Sequence, residues 1–317
     1  MFSVICFSKD RPMQLDAFLA SLHFFSSLHF RQISVIYTVS PGFSYDEVIA
    51  AYPQVHWIRE AGFISDFRRC VEVSGDFIML CCDDMLFRDY FTPETIIKAL
   101  NARPEAFGFS LKLGANLHSL PRLTIEGELL SWNWRDAVKG EWHFPWDLSG
   151  CVYRRDLILS LLDRYHDLGS PNRLELHVAL DIHDDTAVTQ NLMLCFRTSK
   201  SVVLTINCVQ NEFESTFDGS LATDPATLFA EYSAGNRLNW PVFSTKNYFR
   251  SHINSRDFML VQATPMLADQ QSMRNSGAMS HRVLVLKIAF WSCANIVMGF
   301  LHPLMPRRIM TLIWKFF

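Results

Sequence analysis

Residues 75–85 read Gly-Asp-Phe-Ile-Met-Leu-Cys-Cys-Asp-Asp-Met, and this stretch decides the fold that the sequence predicts. The continuous apolar run from Phe77 to Cys82 is typical of a strand that is buried on both faces of a parallel sheet. Two carboxylates, Asp83 and Asp84, follow it directly. Because a carboxylate placed beside a buried strand is costly without a compensating charge, we expect a counter-charge at this point.

Outward from this run, apolar and β-branched stretches alternate with stretches of helical periodicity. Strands are predicted at 2–8, 33–39, 55–58, 107–113, 149–153, 192–196 and 201–206, and helices near 15–22, 44–52, 66–73, 155–164 and 172–183. This alternation implies an α/β fold with a mostly parallel central sheet and helices on both faces. Ligands of such sheets bind outside the carboxyl ends of the strands.

Polar side chains follow the predicted strands at that edge of the sheet. Ser8, Asp10 and Arg11 come after the first strand, Ser40 after the second, and Asp83 with Asp84 after the run described above. Hard cations such as Mg²⁺ and Mn²⁺ prefer oxygen ligands, and one bound here would neutralise a diphosphate leaving group. The alternative for the acidic pair is a turn with two solvated carboxylates.

Three arginines are candidate diphosphate contacts, because a guanidinium matches phosphate oxygens. They are Arg11, Arg68 and Arg69. For one of the adjacent pair, Arg68 and Arg69, a solvated helix face is the alternative interpretation.

The stretch Cys82-Asp83-Asp84-Met85 resembles the DxD-type motif of GT-A glycosyltransferases, in particular the family-2-like enzymes of bacterial surface-polysaccharide synthesis. Phe7–Leu15 looks like their opening strand and nucleotide loop, and Ser149–Arg155 resembles their acceptor-side strand. The resemblance covers roughly residues 2–210. It implies that Asp84 binds the metal and that Asp83 contacts a ribose or sugar. It also implies a nucleotide-sugar donor, with a UDP-sugar as the first expectation.

Two carboxylates are candidates for the base that an inverting sugar transfer requires. Glu175 stands where the resembling enzymes carry an acidic acceptor motif, and Asp147 precedes the predicted turn at residues 149–150. Glu175 also lies three residues after Asn172, which is the spacing of a capping box. Asp147 is otherwise a turn-forming residue. Nearby tryptophans could stack on sugar rings or belong to the core; they are Trp132, Trp134, Trp142 and Trp146.

Composition and cysteine usage indicate a folded protein of the cytoplasm. The 317 residues are 49% hydrophobic and 19% charged, and the formal net charge of -3 argues against a general nucleic-acid binder. None of the eight cysteines forms a CxxC pair, so a structural zinc site is not indicated and reduced thiols are expected. The apolar run at residues 2–7 is too short for a signal peptide.

The C-terminal residues differ in charge from the rest of the chain. After Asp269 there are six basic residues and no acidic one, which leaves 23 basic against 32 acidic residues in 1–269. Residues 283–301 are apolar except for one polar stripe, which favours a helix lying in the membrane interface beside anionic lipids. A helix packed on the body or on a second subunit, and a true membrane span, are the alternatives.

The expected organisation is therefore a GT-A-like catalytic domain at 1–269, a linker at 270–280 and amphipathic membrane-associated helices at 281–317. The nucleotide-binding half is expected at about 1–115 and the acceptor-side half at about 116–269. The predicted activity is transfer of a sugar to a glycan or lipid-linked acceptor, in O-antigen-like or capsule-like synthesis, at the cytoplasmic face of the membrane. A sugar nucleotidyltransferase and an inactive assembly partner remain alternatives, and homo-oligomers are possible.

Overall fold

The fold is seen in a computed structural model, whose described residues are 1–26, 30–137, 140–166, 168–185, 188–209, 224–253 and 260–262. The predicted linker at 270–280 and the predicted amphipathic helices at 281–317 lie outside these ranges. None of the helices within the ranges combines the length and the apolar character that crossing a bilayer requires.

The strands form one large sheet and two small ones. In chain order they are β1 (Phe2–Lys9), β2 (Gln32–Thr38), β3 (His56–Arg59), β4 (Phe77–Cys82), β5 (Met85–Phe87), β6 (Ala106–Ser110), β7 (Thr124–Glu126), β8 (Leu129–Asn133), β9 (Cys151–Arg154), β10 (Leu192–Phe196), β11 (Ser201–Leu204), β12 (Asn236–Leu238), β13 (His252–Ile253) and β14 (Leu260–Gln262). Every strand predicted from the sequence is present, with ends that differ by a few residues.

The helices in chain order are α1 (Pro12–Phe25), α2 (Asp46–Ala51), α3 (Phe63–Val73), α4 (Pro93–Ala102), α5 (Arg155–Arg164), α6 (Pro171–Asp181) and α7 (Pro225–Ser233). Short 3-10 helices lie at Trp134–Asp136, Glu141–His143 and Trp240–Thr245. Helices α4 and α7 were not predicted from the sequence. Both begin with a capping side chain followed by proline, Thr92 before α4 and Asp224 before α7, which is a helix-start signal.

Strand order in the large sheet is β3-β2-β1-β4-β9-β6-β10-β8-β7. The pairs β1/β2, β2/β3, β1/β4 and β6/β10 are parallel, whereas β9 is antiparallel to both β4 and β6. Strand β8 is likewise antiparallel to β10 and β7. Within the described sheet, all strands except β9 and β8 run in one direction, as the expectation of a mostly parallel sheet implies. The sheet is nevertheless mixed, because purely parallel pairing is confined to its first half.

The direction of β9 follows from where the chain enters it. The last residue of β6, Ser110, pairs with the first residue of β9, Cys151, so the intervening residues return the chain to the same sheet edge. A strand that starts at the carboxyl edge of its neighbours has to run back towards their amino edge. This reversal brings the residues just before β9 to the edge where Asp83 and Asp84 lie.

Helices cover both faces of the large sheet, as predicted. Alternate residues of β1 and β4 point to opposite faces, so Cys6 and Cys81 belong to one apolar cluster and Ile5 and Leu80 to the other. Buried side chains of α1, α4 and α7 line the first cluster, and those of α3, α5 and α6 line the second. Both faces being buried explains why β4 is a continuous apolar run.

A second sheet, of order β13-β11-β5, adjoins the large sheet through the turn after β4. Strand β5 begins at Met85, directly after the acidic pair. The amide of Asp83 donates to the Phe7 carbonyl at 3.1 Å, and the Asp84 carbonyl accepts from Leu204 at 2.8 Å. The acidic pair is therefore held at the junction of the two sheets by its backbone as well as by its side chains.

Gly150 directly precedes β9 and fixes the position of the turn that leads into this strand. Its φ of +88° lies in the left-handed region, and a Cβ there would lie 2.5 Å from the Met85 Cε atom. Its amide donates to Leu80 at 2.8 Å and its carbonyl accepts from Leu111 at 2.9 Å. A side chain would therefore meet both backbone strain and a close neighbour.

Gly150→Ala is expected to lower the free energy of unfolding by about 1–3 kcal/mol, because alanine in the left-handed region is strained. Gly169→Ala is the matched control, since Gly169 has no left-handed φ and no atom within 4 Å of a built Cβ. The control should change stability by less than about 1 kcal/mol. Chemical denaturation measures both, and equal stabilities of the two variants would contradict this account.

Candidate functional site

Asp83 is buried at the carboxyl edge of β4, and its side chain accepts three hydrogen bonds. Its Oδ1 atom accepts from the Arg11 guanidinium at 2.9 Å. Its Oδ2 atom accepts from the Ser8 hydroxyl at 2.7 Å and from the Lys9 amide at 3.3 Å. Burial raises the pKa of Asp83 to about 6, against the opposing effect of Arg11. The side chain joins the loop after β1 to the end of β4.

Asp84 shares the same guanidinium but is more open to solvent. Its Oδ2 atom accepts from Nη1 of Arg11 at 2.9 Å, and its side chain is 17% exposed against 4% for Asp83. Among the described residues, its second carboxylate oxygen has no hydrogen-bond partner. One arginine thus faces two carboxylates, which leaves a surplus negative charge on the exposed side of the cluster.

The loop residues predicted to bind the nucleotide do converge here. The hydroxyl of Tyr45, which the sequence reading missed, lies 2.6 Å from the Ser8 hydroxyl and accepts from the Arg11 amide at 3.1 Å. Asp10 adopts a φ of +54° and accepts from both the amide and the hydroxyl of Ser40, each at 2.7 Å. Ser8, Asp10, Arg11, Ser40 and Asp83 therefore form one connected edge.

Arg68 does not join this edge through any contact seen in the described residues. Its Nη2 atom lies 2.7 Å from Oδ1 of Asp163, near the end of α5. The neighbouring Arg69 pairs with Asp66 on the same helix. Both contacts correspond to the alternative interpretation of a charged helix face. The cation that does reach the acidic pair is Arg11.

The fit of a divalent cation can be judged from these oxygens. Within the described residues, no three His, Cys, Asp or Glu side chains are grouped to hold a metal ion. Mg²⁺ is nevertheless commonly bound through one or two carboxylates plus substrate phosphates. Asp84 fits that role, since it has an oxygen without a partner and surplus charge. Asp83 fits less well, because both of its oxygens already accept hydrogen bonds. A bound cation stays a prediction.

Arg11 is held from three sides. Besides the two carboxylates, its Nη2 atom donates to the carbonyl of Asn207 at 2.9 Å, and only 10% of the side chain is exposed. Its Nε atom is buried without a hydrogen-bond partner. The amide of Gln14 donates to the Asn207 side chain at 3.3 Å. The guanidinium therefore connects the first strand, the fourth strand and the segment after β11.

Arg11→Met is expected to cost about 3–5 kcal/mol of stability at neutral pH, because it leaves buried carboxylates uncompensated. The pKa of Asp83 is raised in the folded state, so its contribution to stability is present at low pH and lost as pH rises through about 6. Removing Arg11 raises this pKa further. The deficit relative to wild type should therefore be larger at pH 8 than at pH 5.

The control for that variant is Arg68→Met, the same substitution in an exposed pair. Side chains of Arg68 and Asp163 are 30% and 71% exposed, so the expected loss is about 0–1 kcal/mol at either pH. Denaturation curves at pH 5 and pH 8 give both values. A pH-independent deficit for Arg11→Met would rule out the charge explanation.

Glu175 and Asp147 meet at the turn before β9. The Leu148 amide donates to Oε1 of Glu175 at 3.0 Å, while the Leu148 carbonyl accepts from the Cys82 thiol at 3.6 Å. The single residue Leu148 therefore connects the candidate base with the residue that precedes the acidic pair. The edge that carries Asp83 and Asp84 therefore adjoins the turn that carries Asp147 and the helix that carries Glu175.

Glu175 has the properties of a base that works near neutral pH. Burial, and secondarily the nearby charge of Asp147, raise its pKa to about 7. General bases are most effective when their pKa lies near the working pH. The capping-box alternative for Glu175 is wrong, because α6 is capped by Ser170, whose hydroxyl accepts from the Arg173 amide. Glu175 lies one turn further along and does not cap the helix.

Asp147 is engaged on both oxygens. Its Oδ2 atom lies 2.5 Å from Nζ of Lys112, and its Oδ1 atom accepts from the Ser149 amide at 2.6 Å. Lys112 was missed by the sequence reading, although a single lysine inside an apolar run that ends at the site edge is a usable signal. Of the two candidate acids, Glu175 is the one available to take a proton, and Asp147 shapes the turn.

The four tryptophans belong to the core and not to a sugar-binding surface. Exposed fractions of Trp132, Trp134, Trp142 and Trp146 are 2%, 0%, 4% and 1%. The indole of Trp132 donates to the Trp142 carbonyl at 2.9 Å. Their rings are therefore closed to a carbohydrate and instead belong to one buried apolar cluster.

A known glycosyltransferase is similar to this chain in amino-acid sequence. The chain is 28% identical over 264 residues to the bifunctional glycosyltransferase pgtA of Dictyostelium discoideum. The match covers 70% of this chain and 34% of the relative, so the chain spans about a third of that protein. This similarity confirms the glycosyltransferase resemblance. No family model matches the sequence.

Two solved structures of S. aureus TarS residues 1–349 show weaker likeness. One has a TM-score of 0.37 at 14% identity, covering 62% of this chain and 58% of its own. The other, in complex with UDP-GlcNAc, has a TM-score of 0.35 at 14% identity, covering 62% and 56%. At these TM-scores the likeness supports no further conclusion about fold or ligand.

Proposed function

We propose that this protein is a glycosyltransferase that moves a sugar from a nucleotide-sugar donor to an acceptor hydroxyl. The observation that carries the proposal is the junction at Leu148, whose backbone contacts both Glu175 and Cys82. It places a carboxylate suited to accept a proton next to the acidic edge that would face a diphosphate. The similarity to a glycosyltransferase in sequence supports the same reading.

In the proposed reaction, Glu175 accepts the proton of the acceptor hydroxyl as that oxygen attacks the anomeric carbon of the donor sugar. The bond from this carbon to the diphosphate oxygen breaks, and its electron pair leaves with the nucleoside diphosphate. This single displacement inverts the configuration at the anomeric carbon of the donor sugar. Asp83, which also accepts from the Ser8 hydroxyl, holds Arg11 in place, and Asp84 faces the diphosphate side. A divalent cation bound at Asp84 would supply charge neutralisation of the leaving group.

Finer assignments rest on the sequence. The proposed donor is a UDP-sugar, and the proposed acceptor is a glycan or a lipid-linked glycan in polysaccharide synthesis. A cytoplasmic location at the inner face of the membrane is proposed from the basic, amphipathic character of residues 281–317. An acceptor carried on a lipid would make such a location useful, because enzyme and acceptor then share one surface.

The donor is tested by thermal unfolding with a panel of nucleotide sugars, with and without Mn²⁺. A donor at 100 times its dissociation constant should raise the free energy of unfolding by about 2.7 kcal/mol. Asp84→Asn should remove the Mn²⁺-dependent part of that gain. If no nucleotide sugar and no nucleoside diphosphate stabilises the protein, the proposed function is wrong and an inactive relative is the better description.

Glu175→Gln should lower kcat of transfer by roughly 10²–10⁴-fold, because the base is lost. Donor binding in the thermal assay should be preserved. Glu72→Gln, the same substitution at an exposed residue of α3, is the control and should leave kcat unchanged. Nucleoside diphosphate released from a nucleotide sugar marks the transferase. In a parallel assay with a nucleoside triphosphate and a sugar 1-phosphate, released pyrophosphate would mark the nucleotidyltransferase alternative. Full activity of Glu175→Gln would remove Glu175 from the mechanism.

A further inference from the structure

Lys112 is a buried cation just beyond the end of β6, and the proposed mechanism has so far given it no part. Its side chain is 5% exposed. Its Nζ atom lies 2.5 Å from Oδ2 of Asp147 and 3.7 Å from Oε2 of Glu141. The charge of one buried lysine is thus shared between two carboxylates, of which Asp147 is nearly buried and Glu141 is partly exposed. Despite its burial, these carboxylates hold the pKa of Lys112 above its ordinary value.

The far end of this cluster is formed by β13. Oε1 of Glu141 lies 2.8 Å from Nδ1 of His252, and both oxygens of Glu141 accept from the Ser251 hydroxyl. Burial opposes the charge of Glu141, but Lys112 and then His252 lower its pKa to about 2. Glu141 is therefore a fixed anion with its own partners. Lys112 remains the cation in direct contact with Asp147.

The near end of the cluster carries Glu175. The Tyr153 hydroxyl accepts from the Asp147 amide at 2.7 Å, and the next amide, that of Leu148, donates to Glu175. A movement of the Asp147 carboxylate would therefore be transmitted to the Glu175 hydrogen bond through one peptide unit. The ionisable groups that act on Glu175 are Asp147, Lys112 and His252, and Glu175 in turn acts on the Cys82 thiol.

We propose that Lys112 is a positioning residue for the proposed transfer reaction: its ion pair holds the Asp147 carboxylate in place, and thereby holds Glu175 ready to accept the acceptor proton. This inference rests on the proposed function. Lys112 itself does not contact Glu175 through a hydrogen bond in the described residues, so it acts through Asp147 and through the electric field at Glu175.

The sign of the field effect separates this role from simple structural support. Without Lys112, the negative charge of Asp147 acts on Glu175 unopposed and favours its protonated form. Without the charge of Asp147, the lysine remains and favours the ionised form. When both charges are removed, these two opposite effects on the protonation of Glu175 cancel. If Lys112 only filled space, its replacement by an apolar side chain of similar size would leave the pKa of Glu175 unchanged.

The experiment follows the titration of Glu175 itself in the full chain, by ¹³C NMR of protein labelled at the glutamate carboxyl carbons. Glu175→Gln identifies the signal by its absence. Lys112→Met is expected to raise the pKa of Glu175 from about 7 by about one unit or more. Asp147→Asn is expected to lower it, and the double variant should lie nearer to wild type than either single one.

Asp147→Asn also provides the test if Lys112→Met fails to fold, because the amide retains the acceptor for the Ser149 backbone. The proposal is overturned if the pKa of Glu175 in the folded single variants equals that of the wild type. It is also overturned if Lys112→Met and Asp147→Asn shift this pKa in the same direction. Where the opposite shifts occur and transfer activity is present, the acid limb of the kcat profile should move with them.

The results expected if the proposed glycosyltransferase function is wrong differ from those expected if only the role of Lys112 is wrong. Opposite shifts of the Glu175 titration without any donor binding or transfer would support the coupling of Lys112 to Glu175 but refute its part in catalysis. Transfer activity that depends on Glu175 and shows an unmoved acid limb in Lys112→Met would leave the enzyme intact and overturn the role of Lys112.

Discussion

The guanidinium of Arg11 lies between two buried or half-buried carboxylates, and the arrangement of the site depends on this contact. A carboxylate beside a hydrophobic strand is stable only with a partner, and Arg11 supplies one at 2.9 Å to both Asp83 and Asp84. Because its other nitrogen binds the Asn207 carbonyl, the same side chain fixes the segment after β11. One cation thus fixes the relative position of three chain segments that are far apart in sequence.

Two cation and carboxylate clusters of similar composition meet near Cys82. In the first, Arg11 faces Asp83 and Asp84, and in the second, Lys112 faces Asp147 and Glu141. Each cluster has one strong cation for two acids, and in the second the ring of His252 also contacts Glu141. The first keeps a surplus charge where a diphosphate and its counter-ion would bind. The second places a protonatable glutamate at its border, and the backbone of Leu148 keeps the two at a fixed separation.

Gly150 shows how the fold imposes this separation. Its left-handed backbone, and the close approach of the Met85 side chain that leaves no room for a Cβ, hold the turn before β9 beside the residue that follows the acidic pair. The antiparallel direction of β9 is what delivers this turn to the carboxyl edge. A strand parallel to β4 and β6 would have carried the residues just before β9 away from Asp83 and Asp84. The insertion of the reversed strand β9 therefore brings the turn that carries Asp147 to the edge that carries the acidic pair.

The sequence by itself determined the strands. Apolar runs and helical periodicity reflect which faces of an element are buried, and both faces of this sheet are buried. It also placed Ser8, Asp10, Arg11, Ser40 and Asp83 at one edge, since parallel strands end together. It did not reveal that Lys112 pairs with Asp147, that Arg68 points to α5, or that the tryptophans are closed off. Those facts depend on which side chains meet across strands from distant parts of the chain. Only the tertiary structure decides such contacts, because local periodicity carries no record of the partner on the other side of a turn.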